Sequence, residues 1–346
     1  MAKILYGVCG EGSGHSSRAK EIIGHLLEKG HQIKIISYDR GLNNLSHHFE
    51  VEEIDGLGFH YDKNEIRLIP TIISNAMKVP KFQSSIEKVL RMADDFKPQI
   101  VFSDFEPISC IVANIKKLPL ISIDNQHRLT NTKIEYPEKY MLEAEVAKAV
   151  TRAMIFNSKA CLVISFDRPP VLNNKTFLFP PILRKEVLRA KASEGDFILV
   201  YLTSSVKELL DILKRIDKKF KVYGFNEDNE DGNIIFYKAS QEGFLKDLAS
   251  CQGIVANAGF TLISEALYLN KPYLAWPAKN QFEQVYNAYW IEKLGYGKYW
   301  DDLDKEKIES FLFNLDRYKE NLKKYPKEDN SKIFAKIDEL IVQYAD

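Results

Sequence analysis

The segment from 253 to 265 has the residues best suited to bind a charged ligand. The apolar run 253–256 predicts a short buried strand, and a helix is expected to begin near Thr261 after a turn at Gly259. The start of a helix presents unpaired N–H groups and the positive end of the helix dipole, which suit a phosphate. Glu265 lies one turn further on, where its carboxylate either accepts hydrogen bonds from ribose hydroxyls or is simply a solvated acid.

A second polar group follows the next predicted strand, 273–276. Glu283 and Gln284 carry a carboxylate and an amide, which can bind the hydroxyl groups of a sugar. Sites for a phosphate, a ribose and a sugar follow one another along the chain. Their order predicts that the protein binds a nucleoside diphosphate sugar.

This region resembles the donor-binding signature of the UDP-glycosyltransferase superfamily and the MurG-like transferases, which are GT-B glycosyltransferases. The plant branch has His-x-Gly-x-Asn-Ser-x-x-Glu, then an Asp/Glu-Gln pair shortly before Asn-Ala. The matching positions are Gly259, Glu265, Glu283-Gln284 and Asn287-Ala288, and the departures are Asn257, Thr261 and Leu262 in place of His, Asn and Ser. The donor ligands that the resemblance implies are Asn257, Gly259, Phe260 and Thr261 for the diphosphate, Glu265 for the ribose, and Glu283 and Gln284 for the sugar.

A hydroxyl-rich loop, Thr203-Ser204-Ser205, follows the first strand of the second half of the chain. Related transferases have such a loop near the donor phosphates, so the resemblance implies that Thr203 and Ser204 bind the donor. The alternative is an ordinary helix N-cap.

The glycine-rich loop after the first strand also resembles a transferase motif. Gly12-Ser-Gly14-His15-Ser-Ser-Arg18 is similar to the acceptor-side loop of MurG-like enzymes. Transfer to a hydroxyl needs a base, because an alcohol is a poor nucleophile until its proton can leave. The resemblance implies that His15 is this base and that Gly14 and Arg18 contact the acceptor. The alternative is that His15 only braces the loop.

Two further polar groups follow predicted strands of the first half. Asp104 comes after the strand 100–103 and resembles the acid that orients the catalytic histidine in plant members of the superfamily, although it could equally be a helix N-cap. The run 124–128 ends the next strand and is similar to the polar acceptor loop of MurG-like enzymes. Its acceptor candidates are Asn125, Gln126 and His127, and His127 is also a competing base.

Other functions remain open at this point. Gly12-x-Gly14-x-x-Ser17, with Asp39 after the second strand, nearly matches a dinucleotide-binding fingerprint, but the third glycine is missing. UDP-sugar 2-epimerases share the GT-B architecture, and a non-catalytic nucleotide-sugar binding protein would have the same donor site. The triplet Asp302-Leu-Asp304 predicts a helix start and not a metal site. The resemblance implies an inverting hexosyltransferase, and we expect a reaction without a metal or other cofactor.

Alternating strands and helices must position these residues. Short apolar strands at 3–9, 31–37, 100–103, 120–123 and 162–164 are each separated by helical stretches, and the pattern restarts at 197–201. This rhythm predicts α/β domains with doubly wound parallel sheets. We predict two Rossmann-like domains facing a central cleft in the GT-B architecture. The boundaries are 1–176 for the acceptor domain, 177–195 for the linker and 196–330 for the donor domain. The resemblance implies that 331–346 form a helix that returns to the first domain.

The charge composition argues against nucleic acid as a partner. Basic and acidic residues are equal at 48 each, so no overall field attracts nucleic acid. The four cysteines are far apart and are expected to be buried thiols in a reducing cytoplasm. We expect a cytoplasmic protein whose partners are a UDP- or dTDP-sugar and a small-molecule, glycan or lipid-linked acceptor. The apolar segment 66–79 is expected to pack on the sheet, with contact to the inner face of the membrane as the alternative.

Overall fold

The computed structural model of the chain describes residues 1–58, 61–62, 65–202, 207–238 and 240–345. The strands are β1 Lys3–Val8, β2 Gln32–Ser37, β3 Val51–Glu53, β4 Tyr61–Asp62, β5 Glu65–Ile66, β6 Ile100–Asp104, β7 Leu120–Asp124, β8 Ala160–Ile164, β9 Thr176–Phe179, β10 Phe197–Tyr201, β11 Lys219–Tyr223, β12 Asn229–Asp231, β13 Ile234–Tyr237, β14 Ile254–Ala256, β15 Tyr273–Ala275 and β16 Gly297–Tyr299. The helices are α1 Gly14–Glu28, α2 Asp39–Ser46, α3 Leu68–Phe96, α4 Pro107–Lys116, α5 Arg128–Asn131, α6 Met141–Met154, α7 Lys185–Arg189, α8 Lys207–Leu213, α9 Gln241–Ser250, α10 Phe260–Tyr268, α11 Phe282–Lys293, α12 Lys305–Phe313, α13 Leu315–Leu322 and α14 Ser331–Ala345, with a 3₁₀ turn at Glu138–Tyr140.

Two seven-stranded sheets carry the fold. The first has the order β3-β2-β1-β6-β7-β8-β9, and all its strands are parallel. The second has the order β12-β13-β11-β10-β14-β15-β16, and only its edge strand β12 is antiparallel. The central strands are almost continuous runs of buried Ile, Leu and Val, as sheets covered by helices on both faces require. The doubly wound α/β class predicted from the sequence is confirmed.

The structure corrects the boundary between the first domain and the linker. The segment 177–179 was expected to begin the linker, but it belongs to β9, which pairs in parallel with β8. Phe177 and Phe179 alternate along this strand and pack against the core, so the apolar side chains hold the segment in the sheet. The connection after β9 is also held in place, because Ile182, Leu183 and Val187 are buried in the same core.

The last helix, α14, packs on the first domain. Its side chains Ile333, Ile337 and Leu340 are buried in the core that β1 and α1 share. His25 of α1 stacks on Phe334, with ring centroids 4.4 Å apart, and its Nε2 lies 2.8 Å from a carboxylate oxygen of Asp338. The chain therefore crosses from the second domain back to the first.

The helix α3 corrects the expectation that the segment 66–79 packs on the sheet. Ile73, Met77 and Val79 are 56%, 77% and 58% exposed. The side chains of Ile66, Leu68, Ile69 and Ile72 lie outside the described residues. This half of α3 presents apolar side chains to solvent, beside Lys78 and Lys81. None of the helices in the described residues is both long enough and apolar enough to span a bilayer.

Candidate active site

Adjacent strand ends bring the predicted base to its predicted acid. β1 and β6 are neighbours in the sheet, and Val8 at the end of β1 lies opposite Asp104 at the end of β6. The glycine-rich loop then starts α1 directly above this edge. The His15 Nδ1 lies 2.7 Å from Asp104 Oδ1, and Asp104 is fully buried whereas the His15 side chain is 10% exposed. The other ring nitrogen, Nε2, makes no hydrogen bond to any residue that the structure describes.

The structure excludes the alternative that Asp104 caps a helix. The cap of α4 is Glu106, whose carboxylate accepts hydrogen bonds from the backbone N–H groups of Ile108 and Ser109 at 2.8 and 2.6 Å. Burial raises the pKa of Glu106 to about 7, although these hydrogen bonds oppose the rise. Asp104 is thus left to interact with side chains of α1.

Arg18 forms a two-pronged ion pair with the same carboxylate. Its Nε and Nη2 donate to Asp104 at 2.7 and 2.5 Å, and its Nη1 donates to Asn125 Oδ1 at 2.8 Å. Burial alone would lower the pKa of Arg18, but Asp104 outweighs burial and raises it. Arg18 is only 4% exposed, and its guanidinium has three partners, because its Nη2 also lies 2.8 Å from His15 Nδ1. Contact between Arg18 and an acceptor stays a prediction.

The polar run after β7 reaches across the cleft to the second domain. Asn125 Nδ2 donates to one carboxylate oxygen of Glu283 at 2.7 Å, and Gln126 Nε2 donates to the other at 3.0 Å. The Oε1 atom of Gln126 is buried and has no hydrogen-bond partner among the residues that the structure describes. The structure therefore brings together acceptor candidates of the first domain and a sugar candidate of the second.

His127 lies in a second buried pair, with Asp124. Its Nδ1 is 2.7 Å from Asp124 Oδ2, and the backbone of Ile155 also hydrogen-bonds to the ring. Burial would lower the pKa of His127, but Asp124 outweighs burial and raises it. Burial would raise the pKa of Asp124, but His127 lowers it to about 2. A raised pKa favours the protonated ring, which cannot accept a proton, and this weakens the case for His127 as the base.

The start of α10 faces the start of α1 across the cleft. Gly259 is the N-cap of α10, and no side chain among the described residues caps this helix. A Cβ atom placed on Gly259 would meet no described atom within 4 Å, so a ligand can approach the backbone closely. A Cβ atom placed on Gly14 would lie 2.6 Å from Thr261 Oγ1. A side chain at position 14 would force the Thr261 hydroxyl to move, so glycine suits this close approach of the two helix ends. Phe260, the first residue of α10, packs inward against Phe166.

Three predicted donor ligands have partners within the protein. The Glu265 carboxylate accepts from Nε and Nη2 of Arg184 at 2.7 and 2.8 Å. Gln284 Oε1 accepts from the backbone N–H of Ala278 at 2.9 Å, and Asn257 Nδ2 donates to the carbonyl of Trp276 at 2.9 Å. Gln284 and Asn257 thus hold the loop after β15, and their contacts with a donor stay predictions. Thr203 and Ser204 lie outside the described residues.

The residues that the structure describes contain no cluster of three or more His, Cys, Asp or Glu side chains placed to hold a metal. In the Asp-x-Asp triplet, Asp304 is the N-cap of α12 and accepts from the backbone N–H of Lys307 at 2.8 Å. Asp302 pairs with the Lys307 ammonium at 2.9 Å. Both acids therefore serve the helix start. All four cysteines are buried and unbridged.

Comparison with known proteins identifies the family. Residues 2–316 match glycosyl transferase family 1. The chain belongs to this family. A glycosyltransferase of Methanosarcina mazei described as uncharacterized is 22% identical over 331 residues, covering 86% of this chain and 85% of the relative.

Solved structures of other glycosyltransferases have the same fold as this chain. The calicheamicin glycosyltransferase CalG4 superposes with a TM-score of 0.72 at 14% identity and covers 100% of both chains. MurG of Acinetobacter baumannii superposes with a TM-score of 0.62 at 12% identity, covering 99% of this chain and 100% of its own. The architecture is therefore GT-B, with two Rossmann-like domains, as the sequence predicted.

Sequence reasoning missed the largest fully buried side chain in the described part of this glycosyltransferase. Arg128 is 0% exposed and donates to Asp167 at 2.9 Å and to Asn287 Oδ1 at 2.6 Å. Its guanidinium carbon lies 4.3 Å from the centroid of the Tyr286 ring. Arg128 follows the polar run 124–127 directly, and Asn287 lies in the recognised Asn-Ala motif, but nothing in either segment indicates that they pair.

Arg184 was missed as well. It lies in the segment interpreted as a linker, three residues after Pro181, and no local pattern distinguishes it from the charged residues that follow. In the structure it begins α7 and orients Glu265 through the two hydrogen bonds described above.

Proposed function

We propose that this glycosyltransferase moves a hexose or N-acetylhexosamine from a UDP- or dTDP-sugar to a hydroxyl acceptor, with inversion and without a metal. The observation that supports this most is the approach of two helix starts across the cleft. One carries the His15–Asp104 pair, and the other is the uncapped turn at Gly259. In this proposal the base and the phosphate site face each other across the cleft.

The proposed reaction is a single displacement. His15 Nε2 accepts the proton of the acceptor hydroxyl while its oxygen attacks the anomeric carbon of the donor. The bond from this carbon to the diphosphate oxygen breaks, and the electron pair leaves with the nucleoside diphosphate. Backbone N–H groups at Gly259, Phe260 and Thr261 stabilise the charge that develops there. One displacement from the opposite face inverts the anomeric carbon.

Asp104 has a supporting part in this reaction. In the proposed mechanism its carboxylate accepts from a protonated His15 Nδ1, the tautomer in which Nε2 can accept a proton, and stabilises the imidazolium that forms. Arg18 donates to both oxygens of Asp104, which holds this carboxylate in place while it orients the ring. His15 and Asp104 are thus the proposed catalytic pair.

The donor is proposed to lie along α10 and α11. Glu265, held by Arg184, accepts from the ribose hydroxyls, since a carboxylate with two hydrogen bonds from arginine still has lone pairs for other donors. Glu283 and Gln284 are proposed to bind the transferred sugar, and Asn257, Thr203 and Ser204 are proposed to bind the diphosphate. On the acceptor side, the unpartnered Oε1 of Gln126 is suited to accept from a hydroxyl.

The exposed part of α3 is proposed to bind a membrane that carries a lipid-linked acceptor. Ile73, Met77 and Val79 would enter the interface, and Lys78 and Lys81 would lie near anionic headgroups. This arrangement would place the protein at the inner face of the membrane. Met77→Glu should reduce cosedimentation with anionic vesicles, whereas Val342→Glu, at an exposed position of α14, should not. Equal binding by both variants and the wild type would refute the membrane contact.

Thermal shift with UDP-, dTDP- and GDP-sugars tests the donor. A ligand that binds only the folded state must raise the melting temperature, by an amount that grows with its concentration. The donor that does so is then tested for release of nucleotide with and without hydroxyl acceptors. His15→Ala should retain the thermal shift and lose about 100-fold or more in turnover. Near-full turnover by this variant would refute the assignment of the base, and sugar interconversion without an acceptor would indicate an epimerase.

A further inference from the structure

An unbroken row of hydrogen bonds connects His15 of the first domain to Glu283 of the second. His15 and Arg18 share the Asp104 carboxylate, with His15 Nδ1 at 2.7 Å from Oδ1 and Arg18 Nε at 2.7 Å from Oδ2. Arg18 Nη1 then donates to Asn125 Oδ1 at 2.8 Å, and Asn125 Nδ2 donates to Glu283 Oε1 at 2.7 Å. The row crosses the cleft between the domains.

The residue types of this row fix its direction. A guanidinium can only donate and an ionised carboxylate can only accept, so the group between Arg18 and Glu283 must accept on one side and donate on the other. The Asn125 amide meets this requirement, and its orientation follows from its two partners. Arg18 is 4% exposed, Asn125 is 1% exposed and Asp104 is fully buried. Water therefore has little access to replace a broken bond.

The geometry of Arg18 makes the row mechanically coupled. Its guanidinium is rigid and planar, so the two nitrogens on Asp104 and the one on Asn125 rotate together. A shift of Asn125 towards or away from Glu283 must turn the fork that holds Asp104. Asp104 in turn orients the imidazole of His15. The hydrogen bonds within a network of this kind also polarise one another inside a protein.

We propose that Arg18 and Asn125 are positioning residues, through which a change in the hydrogen bonds of Glu283 alters the orientation of the His15 ring. This inference rests on the proposed function, in which Glu283 binds the transferred sugar and His15 is the base. Arrival of the sugar changes the hydrogen bonds of Glu283, and the row carries this change to the imidazole. The base is thereby aligned when the donor is in place. Arg18 and Asn125 consequently act on the reaction from within the protein, and not as acceptor ligands.

Nuclear magnetic resonance of the histidine rings tests the coupling without any substrate. The ring nitrogen signals of His15 are assigned by their loss in His15→Gln, and the remaining histidines report on the integrity of the fold. Glu283→Gln and Asn125→Asp should both move the His15 signals. Asn125→Asp retains an acceptor for Arg18 but places a second carboxylate against Glu283, so it breaks the row at one known bond.

Glu135→Gln provides the matched control. Glu135 belongs to the first domain and accepts from Tyr289 of α11 at 2.8 Å, so this variant makes the same change in another contact with the helix that carries Glu283. It should leave the His15 signals in place. Unchanged His15 signals in Glu283→Gln would overturn the coupling, and so would equal changes in Glu135→Gln. Both outcomes are independent of whether any sugar is transferred.

Kinetic measurements, with the donor that the thermal-shift experiment identifies, test whether the coupling contributes to the rate of the reaction. Arg18→Lys and Glu283→Gln alter residues that do not touch, so independent effects on kcat should multiply in the double variant. Coupling through Asn125 predicts instead that the double variant lies within about threefold of the slower single variant. Arg18→Lys should also leave the donor Kd unchanged, because the loss lies in alignment. Multiplying losses would overturn the proposal even where the wild type is a proven glycosyltransferase.

Discussion

Replacing Arg128 with methionine should destabilise the protein by about 3 kcal/mol. The side chain is 0% exposed, and its removal strands the equally buried carboxylate of Asp167. Breaking a buried pair by deleting one partner costs about 3–5 kcal/mol. The lower end applies here, because Asp167 retains hydrogen bonds from Ser165 Oγ at 2.5 Å and from Tyr286 Oη at 2.8 Å. Methionine also restores part of the apolar contact with the Tyr286 ring.

Urea unfolding followed by circular dichroism measures this loss, with Arg152→Met as the control at an exposed position of α6. The control should change the free energy of unfolding by less than about 0.5 kcal/mol. Adding Asp167→Asn to Arg128→Met should recover about 1 kcal/mol or more, because the neutral amide no longer leaves a charge buried. A loss below about 1 kcal/mol in Arg128→Met, or additive losses in the double variant, would refute the reasoning.

Three further predictions concern the cleft and its electrostatics. Gly14→Ala should weaken donor binding about tenfold in titration calorimetry, because its Cβ would lie 2.6 Å from Thr261 Oγ1. The control is Gly24→Ala on the same helix, whose added Cβ would meet no described atom within 4 Å and which should bind the donor normally. Equal affinities of the two variants would contradict the close approach. His127→Asn should lose more stability at pH 5.5 than at pH 9. The raised pKa of His127 stabilises the folded state below the unfolded pKa of about 6.5, and this contribution disappears as the pH rises through the folded pKa. The lowered pKa of Asp124 keeps the contribution of that carboxylate until about pH 2, and a pH-independent difference between variant and wild type would exclude a charged pair. A chelator should change the initial rate by less than about twofold, and activity that requires added Mg²⁺ or Mn²⁺ would exclude the metal-free mechanism.

Local patterns were sufficient to predict elements that carry their own signals. The helix expected at 331–346 is α14, Ser331–Ala345, and the strand expected at 197–201 is β10, Phe197–Tyr201. The buried side chains of α14 are spaced as one face of a helix requires, which agrees with the helix that the resemblance implied. The first helix begins at Gly14, inside the glycine-rich loop, with Ser13 as its N-cap. Glycine is a poor helix former, and close packing against Thr261 is a tertiary reason for it.

Pairing between distant residues could not be predicted in the same way. The proximity of His15 to Asp104 was expected, since both follow parallel strands and such strands end at one edge of the sheet. Arg128 and Asn287 are 159 positions apart, and Arg184 and Glu265 are 81 apart. The chain has 48 acidic residues, and a single sequence does not indicate which of them a buried arginine will choose.

The contacts that sequence reasoning missed explain how the predicted ones are held in place. Leu129, Ala144, Phe282 and Tyr286 form an apolar cluster that joins α5 and α6 of the first domain to α11 of the second. An interface with a buried apolar cluster restrains the relative motion of two domains more than a polar one does. The distance between the starts of α1 and α10 is therefore set by packing and by Arg128, before any donor arrives. Under the proposed mechanism, the N–H groups that would receive the donor phosphates are then already oriented, so little reorganisation is needed when charge develops on the leaving group.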